Sequence, residues 1–296
     1  MKTIRLIINN TKIVLTSAGF YGSVTMMIIL CFTSELFSDS SANKGYSVIN
    51  VLLNTDRKTM LGDIKYCSYY AISNCTDGFL PIFIPIIVAF PFIPALCNER
   101  EAKFKRYTIY RLSKASYNTG TYLSAMLSGG AAILLGFIVY TFIVSKAFPN
   151  IDDYSLERSE SLRATLKFFY PNVDNIGVLY VFKGIELFLF GAISVLPALF
   201  LSSFIKNKYL IICIPFLLKY LLLQYYLKLR YIAYEDITNP NHKLNTFLDI
   251  THPNSMMTIF SQGDMRPKIL IFVFLELILS FALYCLTTNR RLDNGE

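Results

Sequence analysis

Two pairs of ionisable residues stand inside stretches that are otherwise apolar enough to lie in a membrane. Lys183 and Glu186 fall in the run 177–203, whereas Lys219 and Glu276 fall in the runs 209–227 and 268–287. A charge in hydrocarbon is costly unless it is paired or faces water, so such residues either brace helices or line a polar path. Lys183 and Glu186 are three residues apart, which puts them on one helix face where each neutralises the other. Lys219 and Glu276 sit on helices expected to run in opposite directions. At about 1.5 Å per residue both lie about 15 Å from the same end of their helices, so contact between them is expected.

Other reactive side chains offer less. Cys31, Cys97, Cys213 and Cys285 fall in or beside apolar runs without the short paired spacing of a zinc site, and are expected to pack as small apolar residues. Cys67 and Cys75 lie in one long connection. A disulfide between them is compatible with an oxidising exterior, although spacing alone does not fix pairing. His242 and His252 have no carboxylate at ligand spacing and are expected to be solvated. No metal site is expected. The chain has no G-x-x-x-x-G-K-[ST], no H-E-x-x-H and no G-x-S-x-G, so it lacks a P-loop and has no catalytic residues of those kinds.

The segment NEREAKFKRYTIYRLSKASYNTG, from Asn98 to Gly120, carries a different pattern. Asn98 is a competent N-cap, Glu99 and Glu101 would occupy a first turn, and Lys103, Lys105, Arg106 and Arg111 follow toward the end, in the order a helix dipole favours. Phe104, Tyr107 and Tyr110 share one face. The spacing predicts a short amphipathic helix over 99–113, read either as a cationic loop at the headgroups or as a helix that docks on another protein.

These residues need a membrane scaffold to position them. With 54% hydrophobic and 16% charged residues, against about 50% and about 25% in soluble domains, the chain is not a soluble one. Its mean hydropathy is +0.45. The net charge of +8 does not indicate nucleic acid, because the cations lie between apolar blocks rather than on one aromatic-laced face. An all-α integral membrane fold is expected, with six spans at 14–36, 79–98, 119–145, 177–203, 209–227 and 268–287. The long connections 37–78, 146–176 and 228–267 then fall on one side. The other side collects Lys2, Arg5, Lys12, the 100–114 cluster, Lys206, Lys208, Arg290 and Arg291, which makes it cytoplasmic with both termini inside.

A cleaved signal peptide is disfavoured, since the apolar core after residue 14 exceeds the usual length. Residues 1–12 suit an amphipathic helix on the inner leaflet. Gly129, Gly130, Gly136 and Gly191 permit close helix approach, within the chain or between copies. Phe247, Leu248, Met256, Met257, Ile259 and Phe260, bracketed by Pro240, Pro253 and Pro267, predict short or re-entrant helices before the last span. An amphipathic stretch also runs from Ser155 to Tyr170. Six spans in about 300 residues fit mitochondrial carriers too, but none of Pro91, Pro94 and Pro197 begins the carriers' repeated motif.

The acidic-Arg-acidic run Glu99-Arg100-Glu101 closing the second span, with Leu112-Ser113-Lys114-Ala115-Ser116-Tyr117 leading into the third, resembles the permeases of type 2 ABC exporters. The resemblance covers the whole chain through its six-span layout, amphipathic start and long segment before span six. The family's usual glycine and Leu-Pro-Val-Ser-type turn are replaced here by Arg111-Leu112-Ser113-Lys114. It implies that Glu99, Arg100, Glu101, Phe104, Lys105, Arg106, Tyr107, Tyr110 and Arg111 dock a separate ABC ATPase, present in two copies. It further implies that ATP and Mg bind that ATPase and no cofactor binds this chain, that a second permease subunit completes a homo- or heterodimer, and that the assembly lies in a bacterial cell membrane. A membrane sensor or immunity protein with ligand-binding outer loops is the alternative.

Overall fold

The computed structural model describes residues 2–39, 44–102, 108–109, 111–169, 176–233, 242–261 and 265–293. In chain order the described helices are α1 (Lys2–Leu15), α2 (Ala18–Phe32), α3 (Val48–Asn54), α4 (Arg57–Gly62), α5 (Ser68–Ser73), α6 (Leu80–Glu101) and α7 (Lys114–Ala147). There follow α8 (Leu156–Phe169), α9 (Ile176–Ser194), α10 (Leu196–Ser202), α11 (Lys208–Ala233), α12 (His242–Thr251) and α13 (Arg266–Asp293). Among these, α6, α7, α9 continued by α10, α11 and α13 are long and apolar enough to cross a membrane. The chain is a helical membrane protein.

The expected first span is altered. Thr16 and Ser17 break the helix: the Ser17 hydroxyl donates to Val14 O at 2.7 Å and accepts the Phe20 N–H at 3.2 Å, which caps α2 afresh. α1 and α2 meet at 64°. With 15 residues, α2 reaches about 22 Å, short of the roughly 30 Å hydrocarbon core, so it does not span alone. Only with α1 would the bent pair be a sixth span. The other end of the predicted 14–36 run enters a strand, Glu35–Asp39, paired antiparallel with Lys44–Ser47. This hairpin departs from the all-α expectation; Phe37 stacks on Tyr46 across it at 5.0 Å.

α7 is the central helix. α1, α2, α6 and α9 all pack on it, and in the crossing with α9 Gly129 faces Gly191. A Cβ on either glycine would lie 3.1 Å from the other's carbonyl oxygen, so the small residues serve packing within one chain. α6 contains Pro85, Pro91 and Pro94. Pro94 has no N–H to offer the Phe90 carbonyl, and Gly19 of α2 lies against that oxygen, 2.7 Å from where a Cβ would be.

The long connections assemble on one face, here the loop face. Tyr140 of α7 donates to Ala71 O at 2.8 Å, Tyr154 donates to Met60 O at 3.2 Å, and the Ser68 N–H meets Pro149 O at 2.9 Å. The first of these bonds ties the first connection to α7, and the other two join it to the second connection. α8 occupies the expected amphipathic stretch. Opposite lies the terminal face, with the start of α1 and the end of α13. α11 and α13 are peripheral, with 17% of the apolar stretch buried in each, against 50–61% in the other three spans.

Candidate functional site

The Lys183–Glu186 pair forms on α9, with Nζ and Oε2 3.9 Å apart. Both side chains are turned into the protein, and each also reaches beyond its helix. Glu186 Oε1 accepts the Phe260 N–H at 2.7 Å, while Lys183 donates to Met257 O at 3.0 Å and Thr76 Oγ1 at 3.4 Å. The segment gripped in this way is the 3-10 stretch Ser255–Ser261, whose Met256, Met257 and Ile259 are buried. Phe260 stacks on Phe182 at 4.9 Å, and Arg266 donates to Phe260 O at 2.6 Å. The pair therefore clamps the third long connection onto the fourth span. Asp77 lies beside it; burial raises its carboxyl above the usual range while Lys183 pulls it down.

The expected contact between Lys219 and Glu276 does not form. Lys219 is buried, and its Nζ lies 4.1 Å from the centroid of the Phe190 ring on α9. Glu276 acts on it electrostatically without an ion pair. Equal depth along two helices places charges at one level but says nothing of rotation about each axis. The cation is accommodated by an aromatic face instead.

On the terminal face, Asn98 does not start a helix. α6 continues through Glu99, Arg100 and Glu101, with the Ala102 N–H bonded to Asn98 O at 3.0 Å, because no proline or glycine stops it there. Arg100 turns inward: its guanidinium donates to Ser202 O and, at 2.9 Å, to Ile205 O, satisfying carbonyls at the end of α10. Glu99 is half-buried, and Glu101 and Arg111 are exposed. Phe104, Lys105, Arg106, Tyr107 and Tyr110 lie outside the described residues. Ser113 caps α7 through the Ser116 N–H at 3.2 Å.

A polar seam between α7 and α13 was not anticipated from the sequence. The Asn118 side chain donates to Asn289 at 3.0 Å, and Tyr122 OH reaches Ser280 Oγ at 2.8 Å and Leu277 O at 3.1 Å. Asn118, Thr121, Ser124 and Ser128 are all buried on α7, at spacings of three and four. That polar stripe within an apolar run was the available signal.

Cys67 and Cys75 are both free thiols, and the structure does not pair them. They lie at opposite ends of the short α5. Cys67 packs with Ile151, Tyr154 and Leu162, and burial pushes its thiol up, whereas Cys75 lies against Cys31 in the main core. His252 is half-buried rather than solvated. Its Nδ1 accepts the Asn254 N–H at 3.1 Å, and its ring meets Tyr226 edge-on at 5.5 Å. Burial, then Arg230 and Lys219, hold the imidazole below its ordinary value. Leu248 is buried as expected, but Phe247 points outward. Among the described residues no group of three His, Cys, Asp or Glu side chains is placed to hold a metal ion. No protein-family model matches the chain, and no curated protein sequence matches it.

Proposed function

We propose that this chain is the transmembrane subunit of an ATP-driven exporter of the type 2 ABC kind, moving a peptide, lipid-like or drug-like substrate outward. Two ATPase subunits carrying ATP and Mg would dock on the connection after α6, and a second permease subunit would complete the membrane part. The loop face is then extracellular, the termini are cytoplasmic, and the site is a cell membrane with six crossings. The sparsely buried α11 and α13 would meet lipid or the second subunit.

The observation that carries this reading is the attachment of Arg100. The residue at the root of the docking connection holds the carbonyl of Ser202, which ends α10, and that of Ile205 just beyond it. α10 continues α9, and α9 grips the loop-face cover through Lys183 and Glu186. A push on the docking connection would thus be borne by one packed column reaching the cover on the far face, which is what coupling ATP hydrolysis to opening requires.

Purification of the tagged full-length chain from its native membrane tests the proposal. A subunit with Walker motifs is expected to co-purify with it. Phe104→Ala, Tyr107→Ala and Arg106→Glu together should release that subunit or uncouple its ATP hydrolysis from transport. Absence of any nucleotide-binding subunit, or unchanged co-purification and coupled activity in the triple variant, would refute it.

A further inference from the structure

A cleft of about 730 Å³ opens between α7 and α9 on the outside of the helix bundle, away from the clamp and the docking connection. Its volume falls within the range of about 300–1,000 Å³ usual for sites that take small molecules. Its apolar lining includes Ile138, Phe142, Val181, Ile185 and Phe188. The polar groups are not scattered among these. Thr141, Ser145 and Lys146 of α7 and Tyr180 of α9 all belong to the end of the cleft nearest the loop face.

The dimensions match one leaflet. From Leu134 to Lys146 the cleft follows α7 for about 18 Å, close to half of a roughly 30 Å hydrocarbon core plus its headgroup edge. At its rim Lys146 is exposed and makes no ion pair among the described residues. Below it, the Thr141 hydroxyl oxygen is buried without a hydrogen-bond partner, whereas the Ser145 hydroxyl donates to Thr141 O at 2.7 Å. Among the described residues a cation without an ion pair thus stands at the rim of an apolar trough open to the bilayer.

We infer that this cleft is a binding site for an anionic phospholipid of the leaflet on the loop face. One acyl chain would lie along Phe142, Val181 and Ile185, with the phosphate at Lys146. The inference does not require the exporter reading and fails separately from it.

The chain contains no tryptophan, so a single introduced Trp is a unique fluorescent reporter. Phe142→Trp reports on the cleft, with Val181→Trp as a second reporter, and Leu275→Trp on the exposed side of α13 reports on ordinary lipid contact. Each is reconstituted in mixtures of phosphatidylglycerol with phosphatidylcholine, one of the two brominated on its acyl chains. Quenching, normalised to each pure brominated lipid, then gives the relative affinity of the two headgroups at the reporter.

At the cleft, phosphatidylglycerol is expected to be preferred about fivefold, the size of one cation acting on an anionic lipid, and about onefold at Leu275→Trp. Lys146→Gln should abolish the preference and Lys146→Arg should keep it. Equal preference at cleft and control, or a preference that survives Lys146→Gln, would overturn the inference. So would the absence of quenching at both cleft reporters, which would mean that protein rather than lipid fills the trough.

Discussion

Removing Glu186 isolates the clamp on α9. Glu186→Ala takes away the carboxylate that accepts the Phe260 N–H at 2.7 Å and leaves Lys183, 3.9 Å away, without its counter-charge. A hydrogen bond to a charged group contributes about 1.5–3 kcal/mol, and breaking a buried ion pair costs about 3–5 kcal/mol. These are overlapping descriptions of one loss. Lys183 also keeps its bond to Met257 O, so the low end of the second range, about 3 kcal/mol, is expected. That corresponds to a fall of about 5 °C in the unfolding midpoint of a chain of 296 residues.

Glu186→Gln should lose less than Glu186→Ala, because its carbonyl still accepts the Phe260 N–H. Lys183→Met with Glu186→Gln should recover most of either single loss, since neither charge is then stranded. A thiol-reactive dye supplies the assay, because Cys31, Cys67, Cys75 and Cys97 are buried and become reactive on unfolding, once exposed Cys213 and half-buried Cys285 are replaced by Ser. Additive losses in the double variant would refute the idea that the two charges act as a pair. Unchanged unfolding in Glu186→Ala would refute the clamp itself.

Two further outcomes follow from the geometry. Lys219→Met should not destabilise the protein, because it removes a buried ammonium that has an aromatic face but no ion pair; since Glu276 acts on it without an ion pair, the coupling to Glu276→Gln should stay below the about 3 kcal/mol of a buried pair, and a larger one in the same assay would contradict the arrangement. His252 is held below its ordinary value of 6.5, so the unfolded chain binds its proton more readily, and its contribution is complete above that value and lost as pH falls toward the folded one. Hydrogen exchange over 252–261, corrected for intrinsic rates, should therefore quicken between pH 7.5 and pH 5.5; His252→Gln should remove the difference, and equal protection at both pH values in the unaltered protein would refute it.

Several features were legible along the chain because they depend on local composition and period. The long apolar runs, the amphipathic stretch that became α8, and the i,i+3 relation of Lys183 to Glu186 need nothing beyond the geometry of one helix. The break at Thr16-Ser17 was less visible, since a Ser hydroxyl competes for backbone groups without changing the hydropathy of the run. The end of α6 was misplaced for a related reason. Asn98 is a good N-cap only where the preceding residues leave the helix, and here they do not.

The sequence by itself determined that this is a helical membrane protein, where its main spans lie, and which charges must find partners inside it, because hydrocarbon penalises unpaired charge wherever it occurs. Tertiary structure alone decided what those partners are. Whether Lys219 meets Glu276 or the Phe190 ring depends on the rotation of α11 and α13 about their axes. Whether Cys75 lies beside Cys67 or Cys31 depends on how a loop folds back over a helix. Arg100 could be assigned to a partner protein or to the end of α10 only when two segments a hundred residues apart were seen to meet. Depth and face repeat along a chain and can be counted, but azimuth and long-range closure are set by packing between elements, and no local spacing encodes them.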